Sequence, residues 1–250
     1  MAAYDKNDKC MICGGNHNYS EDVINVQCMF CGESFYTNLI CENGHYICED
    51  CHTQRALEMI TSHCRKTTKK EAINIAYELL TNKWVKMHGS EHPYLVAAVL
   101  LTAYKNRGYG VKAANWAFYA NLDEAKNRAM KIPSGSCGYW GCSGEAIGCG
   151  IFASLILKAT PASDEERSTA NLITSKVLEQ IAVYGGPRCS KRDTFLAILT
   201  TSQFTEEYWR APLTNFEGVE CMFYERNMDC TSERCPFFPK AEEEQKENSL

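Results

Sequence analysis

The fifteen cysteines of this chain are distributed unevenly, and their positions restrict how its N-terminal part can fold. Seven of them lie within the first 51 residues, six as CxxC pairs and Cys41 shortly before His45, and only Cys64 follows in the next 85 residues. The other seven return in short groups from Cys137 to Cys235. The first segment has glycines and short β-prone stretches but no long amphipathic pattern. We therefore expect bound metal to supply the stability that a small core cannot.

The N-terminal pairs have the spacing of zinc ligands. A CxxC turn places two thiolates on one side of a tight knuckle, and two knuckles complete a tetrahedral site. The spacing predicts a small module with two zinc ions, or one site with spare thiols, and it resembles a RING-type cross-brace or a zinc ribbon. Which pairs combine stays open. The eight candidate ligands are Cys10 and Cys13, Cys28 and Cys31, Cys41 and His45, and Cys48 and Cys51.

From about residue 54 the pattern becomes helical and predicts a mainly α domain. Apolar residues recur at helical spacing from Ile73 to Met87, and an apolar run from Leu95 to Tyr104 predicts a buried helix. Gly144 and Gly148 have small-xxx-small spacing, which predicts close helix packing. Two capping boxes are predicted at helix starts, Thr68-Lys-Lys-Glu71 and Ser163-Asp-Glu-Glu166.

The predicted domain organisation follows the change of pattern along the chain. It consists of a zinc-binding module over 1–53, a helical cysteine-rich domain over 54–239, and a charged, disordered tail over 240–250. The net charge of −5 gives no electrostatic footprint for nucleic acid. No apolar stretch is long enough for a membrane span, and the N-terminus lacks the features of a signal peptide. These observations predict a cytoplasmic protein without a membrane partner, in which reduced cysteines indicate metal or catalysis.

The later cysteines are flanked by glycines, prolines and basic residues. Several of them precede a predicted helix start, where N–H groups favour a thiolate or an anion. Cys235 is followed by proline, as in many iron–sulfur ligand runs. These features predict an iron–sulfur cluster of unknown type, with a zinc knuckle or a redox or persulfide-carrying thiol pair as alternatives. The candidate cofactor-binding residues are Cys137, Cys142, Cys189, Cys221, Cys230 and Cys235, with Arg188, Lys191 and Arg192 balancing charge. Cys149 is interpreted as a core residue that could extend this set.

A histidine- and glutamate-containing corner links two predicted helices. His88, Glu91 and His92 lie close together in sequence. They are candidate catalytic acid–base residues or metal ligands. The alternative interpretation is a polar helix–helix corner.

Five segments of the chain carry a family resemblance. They are NGHYICEDCH, HGSEHPYLVAAVLLTAYKN, IPSGSCGYWGCSGEAIGCGIF, GGPRCSKRDTFLAI and CMFYERNMDCTSERCPFFP. Together they resemble domain of unknown function 5714, a cysteine-rich family from anaerobic bacteria and archaea. The resemblance implies an anaerobe and a protein partner such as a methyltransferase or a radical S-adenosylmethionine enzyme, and it implies no known reaction.

Three functional hypotheses remain. The leading one is an iron–sulfur protein with a zinc-bound N-terminal module, acting in electron transfer or in delivery of a cluster or sulfur to a partner enzyme. The second is a cysteine-dependent enzyme acting on a small anionic substrate, with a thiolate at a helix start. The third is a zinc-only adaptor protein, which predicts no iron.

Overall fold

The computed structural model describes residues 9–109, 115–215 and 218–240. The predicted disordered tail over 240–250 lies outside the described residues except for Lys240.

A small two-stranded sheet comes first and is followed by helices. The strands are β1 (His17–Gln27) and β2 (Ser34–Cys41). The eight helices of the described ranges are α1 (Glu49–Lys66), α2 (Ala72–Leu80), α3 (His92–Asn106), α4 (Asn115–Ala129), α5 (Ser136–Tyr139), α6 (Gly144–Leu157), α7 (Glu165–Tyr184) and α8 (Ser190–Trp209). Two 3₁₀ turns, Tyr224–Arg226 and Ser232–Arg234, lie in the C-terminal segment. The prediction of a mainly α fold with a small N-terminal module is confirmed. Within the described ranges, none of the helices has the length and apolarity that crossing a membrane requires.

Strands β1 and β2 form an antiparallel hairpin that has little core of its own. His17 pairs with Cys41 at one end, and Gln27 pairs with Ser34 at the other. Most of its side chains are exposed or half-buried, whereas Cys41 is buried. A lone two-stranded hairpin is marginally stable in water. The cysteines at both ends of this hairpin therefore matter for its stability.

Helix α3 lies at the centre of the helical region. Every residue from Tyr94 to Ala103 is at most 2% exposed, because α1, α2, α4, α6 and α8 pack around this helix. Its buried hydroxyls have partners, since Thr102 Oγ1 donates to the Ala98 carbonyl at 2.6 Å and Tyr94 Oη lies 2.7 Å from Thr61 Oγ1. A helix that is apolar on all sides belongs in a core, and the predicted buried helix is confirmed.

Helix α6 packs against the start of α3 through two glycines. A methyl group on Gly144 would lie 2.6 Å from Pro93 Cγ, and one on Gly148 would lie 2.5 Å from the Pro93 carbonyl oxygen. Neither position has room for a side chain. The predicted close packing is confirmed, and it brings the first turn of α6 next to the corner that precedes α3.

The two predicted capping boxes do not form. Helix α2 begins at Ala72, and its first two N–H groups donate to the Leu213 carbonyl at 3.0 Å and to Thr214 Oγ1 at 3.4 Å. The chain that follows α8 thus provides the partners that the sequence pattern assigned to Thr68. Ser163 accepts an N–H of its preceding turn and does not cap α7. Tertiary contacts and local turns replace both boxes.

Candidate metal centres and the cavities beside them

Two groups of four side chains in the N-terminal module can each surround one metal ion. Within each group the ligand atoms all lie within 4.8 Å of one another. Thiolates at about 2.3 Å from a tetrahedral zinc ion lie roughly 3.8 Å apart. The Sγ–Sγ separations of 3.5 Å and 3.9 Å in the two groups are close to this value. The first tetrad is Cys10, Cys13, Cys41 and His45, and the second tetrad is Cys28, Cys31, Cys48 and Cys51.

The four sequence pairs combine alternately, the first with the third and the second with the fourth. The β1–β2 hairpin produces this order. It places His17 opposite Cys41, so the third pair returns to the first. The second pair lies in the turn between the strands and meets the fourth pair at the start of α1. This interleaved order is the one that a RING-type cross-brace uses.

Backbone N–H groups point at sulfur atoms in both tetrads. The N–H of Gly15 donates to Cys13 Sγ at 3.4 Å, and the N–H of Cys48 donates to Cys28 Sγ at 3.3 Å. Gly14, directly after the first CxxC, has φ of +74°, which a residue with a side chain rarely adopts. The tight turn it permits exposes these donors to the sulfur. Such hydrogen bonds stabilise the thiolate relative to the thiol.

The pKa values of the tetrad thiols differ widely. The Asn43 side chain and the Gly15 N–H lower the pKa of Cys13 to about 6. Desolvation opposes ionisation of Cys28, but backbone N–H groups outweigh it and lower its pKa to about 6. Burial raises the pKa of Cys51 to about 12. Cys13 and Cys28, one in each tetrad, therefore ionise readily at neutral pH, and metal must displace the proton of Cys51.

The second tetrad is fixed to the helical region. Cys48 is the N-cap of α1, which continues into the helical core. Lys86 Nζ lies 2.5 Å from Glu49 Oε2, and the Trp84 ring centroid lies 5.7 Å from that of His52. Burial lowers the pKa of His52 to about 3, so its imidazole is neutral at pH 7. Helix α1 crosses residue 53, where the sequence pattern changes from cysteine-rich to helical.

Four later cysteines line one cavity, called here the thiol site: Cys189, Cys221, Cys230 and Cys235. Cys189 is the N-cap of α8, and the other three lie on the segment after that helix. Each of their sulfurs accepts a backbone N–H. The donors are Arg192 to Cys189, Phe223 to Cys221, Ser232 to Cys230 and Phe237 to Cys235. The N-terminal tetrads have the same pattern, which favours thiolates and therefore metal ligation.

The four cysteines of the thiol site surround a small cavity of about 20 Å³. Among the described residues, only the two N-terminal tetrads bring three or more ligand atoms within 4.8 Å of one another. The four thiols are therefore spread more widely than the ligands of one zinc ion. Lys191 and Arg192, both at least 96% buried, lie in the wall of the site. Burial raises the pKa of Cys189 to about 11, so metal binding there must release a proton.

The remaining predicted cluster ligands lie elsewhere. Cys137, in α5, lines a separate cavity, and Cys142 follows it in the same glycine-rich turn. Neither lines the thiol site. Cys149 is fully buried in α6, and its Sγ donates to the Ala197 carbonyl at 3.6 Å, as expected for a core residue. The structure thus brings four of the six predicted cysteine ligands together at the thiol site. Cys137 and Cys142 do not line that site.

A larger cavity of about 370 Å³, called here the central cavity, adjoins the thiol site. The two cavities share walls, because residues that are adjacent in sequence line one cavity or the other. Met87 and Cys189 line the thiol site, while His88 and Arg188 line the central cavity. Asn227 connects them, since its Nδ2 donates to Cys189 Sγ at 3.4 Å and its side chain is hydrogen-bonded to His88. Other residues of the central cavity are Lys86, Ser136, Cys137, Glu145 and Ser190.

Glu91 and His92 lie behind this cavity and are completely buried. Glu91 Oε1 accepts the backbone N–H of Lys86 at 2.8 Å and lies 3.7 Å from His92 Nδ1. Burial raises the pKa of Glu91 and lowers that of His92. Of the three candidate catalytic residues, His88 is the one whose side chain lines the central cavity. Burial and nearby positive charge lower its pKa to about 4, so it is neutral at pH 7.

Two buried carboxylates were missed by the sequence analysis. Glu145 is 7% exposed and accepts a hydrogen bond from Ser143 Oγ at 2.6 Å. Asp193 is 4% exposed and is paired with Arg192 at 3.0 Å. Burial, and then the charge of Glu145, raise the pKa of Asp193 to about 7. Both lie in the first turn of a helix, where acidic residues are ordinary, so the sequence carries no signal that they are buried together.

Comparison with known proteins yields one match. A family model described as "Family of unknown function (DUF5714)" matches residues 60–238. This range contains the thiol site and the central cavity, whereas both N-terminal tetrads precede it. No curated protein and no solved structure matches the chain.

Proposed function

Since the chain belongs to DUF5714, a family of unknown function, we propose its function from its own geometry: an iron–sulfur protein with two structural zinc ions. The observation that carries this proposal is the thiol site. Its four cysteines surround one small buried void, and each sulfur accepts a backbone N–H. We assign the cluster to Cys189, Cys221, Cys230 and Cys235.

The spacing of these thiols favours a cluster over a single ion. The ligands of a cluster bind different iron atoms and so stand further apart than the ligands of one zinc ion. Four thiolates also add negative charge to a buried place. Lys191 and Arg192 would offset this charge. In the structure Lys191 Nζ donates to the Lys86 carbonyl at 2.8 Å, and Arg192 is paired with Asp193 at 3.0 Å. In this arrangement Lys191 and Arg192 keep their predicted role of charge balance.

The tetrads have a different role in the proposal. Four protein ligands close a zinc site, whereas catalytic zinc keeps an open position. The interleaved tetrads hold together a hairpin that has little core, so their ions would be structural.

The position of the thiol site suits exchange with another protein. Its cysteines lie in a C-terminal segment in which Met222 is 59% exposed and Met228 is 62% exposed. Exposed methionines are common at adaptable binding surfaces. We therefore propose electron transfer, or delivery of a cluster or sulfur, to a partner enzyme. The partner class suggested by the family resemblance is a methyltransferase or a radical S-adenosylmethionine enzyme.

Anaerobic purification followed by measurement of iron, sulfide, zinc and the visible spectrum tests the proposal. We expect iron and inorganic sulfide in similar amounts, together with two zinc ions, one for each tetrad. Cys189→Ala and Cys230→Ala should each bleach the chromophore, while Cys137→Ala, the matched control outside the thiol site, should keep it. Zinc without iron or sulfide would refute the cluster and leave the adaptor hypothesis. Bleaching by Cys137→Ala alone would refute the ligand assignment.

The central cavity favours a second candidate, a cysteine-dependent enzyme acting on a small anionic substrate. Cys137, neutral His88 and Arg188 line the same space of about 370 Å³. A thiol alkylated there should prefer iodoacetate over uncharged iodoacetamide more strongly than Cys142 does. Arg188→Gln should remove that preference. Equal ratios of the two rates at Cys137 and Cys142, measured by peptide mass spectrometry, would eliminate this candidate.

A further inference from the structure

A third cavity, called here the interface cavity, lies between the N-terminal module and the helical region. Its volume is about 360 Å³. This lies within the range of about 300–1,000 Å³ that small-molecule sites occupy. Leu39 and Ile47 from the module and Val85 from the helical region supply apolar walls. None of the thiol-site cysteines lines it, so nothing in this inference depends on iron.

His52 is a buried polar side chain at the wall of the interface cavity. It is 1% exposed and lines the cavity, yet neither of its ring nitrogens has a hydrogen-bond partner. A neutral imidazole has one donor and one acceptor, and leaving them unsatisfied in a buried place costs stability. A bound molecule with a polar atom beside His52 would remove part of this cost.

The charged side chains of the cavity do not call for an ionic ligand. Each of the four lysines and arginines that line it interacts with another group of the protein: Lys9, Lys83, Lys86 and Arg226. Lys86 is paired with Glu49, and Lys9 is attracted to the Glu42 carboxylate. Lys9 and Lys83 are also exposed to water. An ion that entered the cavity would lose its hydration beside apolar walls, which is unfavourable.

The first tetrad also lines this cavity, through Cys10, Cys41 and His45. With zinc bound, these three side chains are occupied as metal ligands in a closed site. They therefore leave the hydrogen-bonding contact with a small molecule to His52.

A hydroxyl group suits His52 better than a group that can only donate or only accept. It can donate to the unprotonated ring nitrogen or accept from the protonated one, so it fits either tautomer of the imidazole. It also carries no charge, in keeping with the apolar walls formed by Leu39, Ile47 and Val85.

We propose that the interface cavity binds a small uncharged molecule that has an apolar body and a hydroxyl group. The hydroxyl group pairs with His52, and the apolar body lies against Leu39, Ile47 and Val85. A ligand in this place touches both the zinc module and the helical region and so connects them.

Three probes that share a naphthalene ring test the class of ligand. 2-Naphthol carries a hydroxyl group, 2-methylnaphthalene has a methyl group in its place, and 2-naphthoate has a carboxylate. The full zinc-loaded chain is titrated with each probe, and calorimetry gives affinity and stoichiometry. We expect saturable one-to-one binding of 2-naphthol, at least about tenfold tighter than binding of 2-naphthoate, because the anion must give up its hydration.

A variant at His52 locates the binding. In His52→Phe the buried hydroxyl group has no partner, so the affinity for 2-naphthol relative to that for 2-methylnaphthalene should fall about tenfold. His63→Phe, the same substitution on helix α1 outside this cavity, is the matched control and should keep the ratio of the unchanged protein. Zinc content and urea denaturation are measured for both variants to show that they remain folded.

The titrations of the unchanged protein decide the proposal even where a variant does not fold. No saturable binding of 2-naphthol would overturn it, and so would tighter binding of 2-naphthoate, which would indicate a site for anions. The same affinity ratio in His52→Phe and His63→Phe would also overturn it, because the hydroxyl group would then not be bound by His52.

Discussion

The N–H of Cys51 donates to Cys48 Sγ at 3.4 Å, so a sulfur of the second tetrad also caps helix α1. One atom therefore joins the metal-binding module to the helical region. Loss of the metal and fraying of the helix are linked at this position, and the two effects can be separated by the choice of substitution.

We expect Cys48→Ala and Cys48→Ser each to lose one zinc ion, because both lack the thiolate. Serine is a good N-cap and alanine is a poor one, so the alanine variant should be less stable by about 1 kcal/mol. Metal analysis gives the zinc content, and urea denaturation gives the free energy of unfolding. Equal stability of the two variants, or full zinc content in either, would contradict the dual role of Cys48.

The interleaved pairing predicts which double variants lose one zinc ion and which lose both. Cys13→Ala with Cys41→Ala damages only the first tetrad, so one zinc ion should remain. Cys13→Ala with Cys31→Ala damages both tetrads and should leave none. Zinc analysis after gel filtration measures this directly. The reverse result would mean that adjacent pairs, and not alternate ones, share an ion.

The identities of the N-terminal ligands were predictable because CxxC spacing is a local property of the chain. Their combination was not, since it depends on the β1–β2 hairpin that places His17 opposite Cys41. For the same reason the sequence grouped Cys137 with Cys189. Both precede helices, but only the fold decides that Cys221 lies at the thiol site and that Cys137 lies at another cavity.

Periodicity predicted helices well where burial dominates, as in α3. It failed at helix starts where a distant segment supplies the partner. The carbonyl of Leu213 accepts the N–H of Ala72, and no residue near Thr68 in the sequence predicts that contact. The burial of a charged residue such as Asp193 could likewise not be predicted from the sequence, because an acidic residue in the first turn of a helix is usually exposed.

The burial of Asp193, together with the negative charge of nearby Glu145, predicts that the stability of the protein falls as pH rises. The pKa of Asp193 rises from its ordinary 3.8 to about 7, so the folded state binds this proton more tightly than the unfolded state. The resulting stability is complete below pH 3.8 and is lost as pH rises through 7. Above that pH two buried carboxylates repel each other. Ser143 can still donate to the amide oxygen that Gln would place at position 145.

We therefore expect Glu145→Gln to gain about 1 kcal/mol relative to the unchanged protein at pH 8 compared with pH 5.5. Urea denaturation at both pH values, on samples with matched metal content, measures this difference. Glu165→Gln, in the exposed first turn of α7, is the control and should behave alike at both pH values. A Glu145→Gln effect that does not change with pH would show that the two carboxylates do not interact.

Helix α6 packs so closely against Pro93 that a side chain at Gly148 should destabilise the protein. A methyl group on Gly148 would lie 2.5 Å from a backbone oxygen that α3 holds in place, so the helices must separate. Gly148→Ala should destabilise the protein by about 1–3 kcal/mol, the usual cost of overpacking a close contact. Gly138→Ala is the matched control, because no atom lies within 4 Å of its added methyl group. Urea denaturation compares the two, and a Gly148→Ala variant as stable as Gly138→Ala would mean that α6 and α3 are not packed this closely.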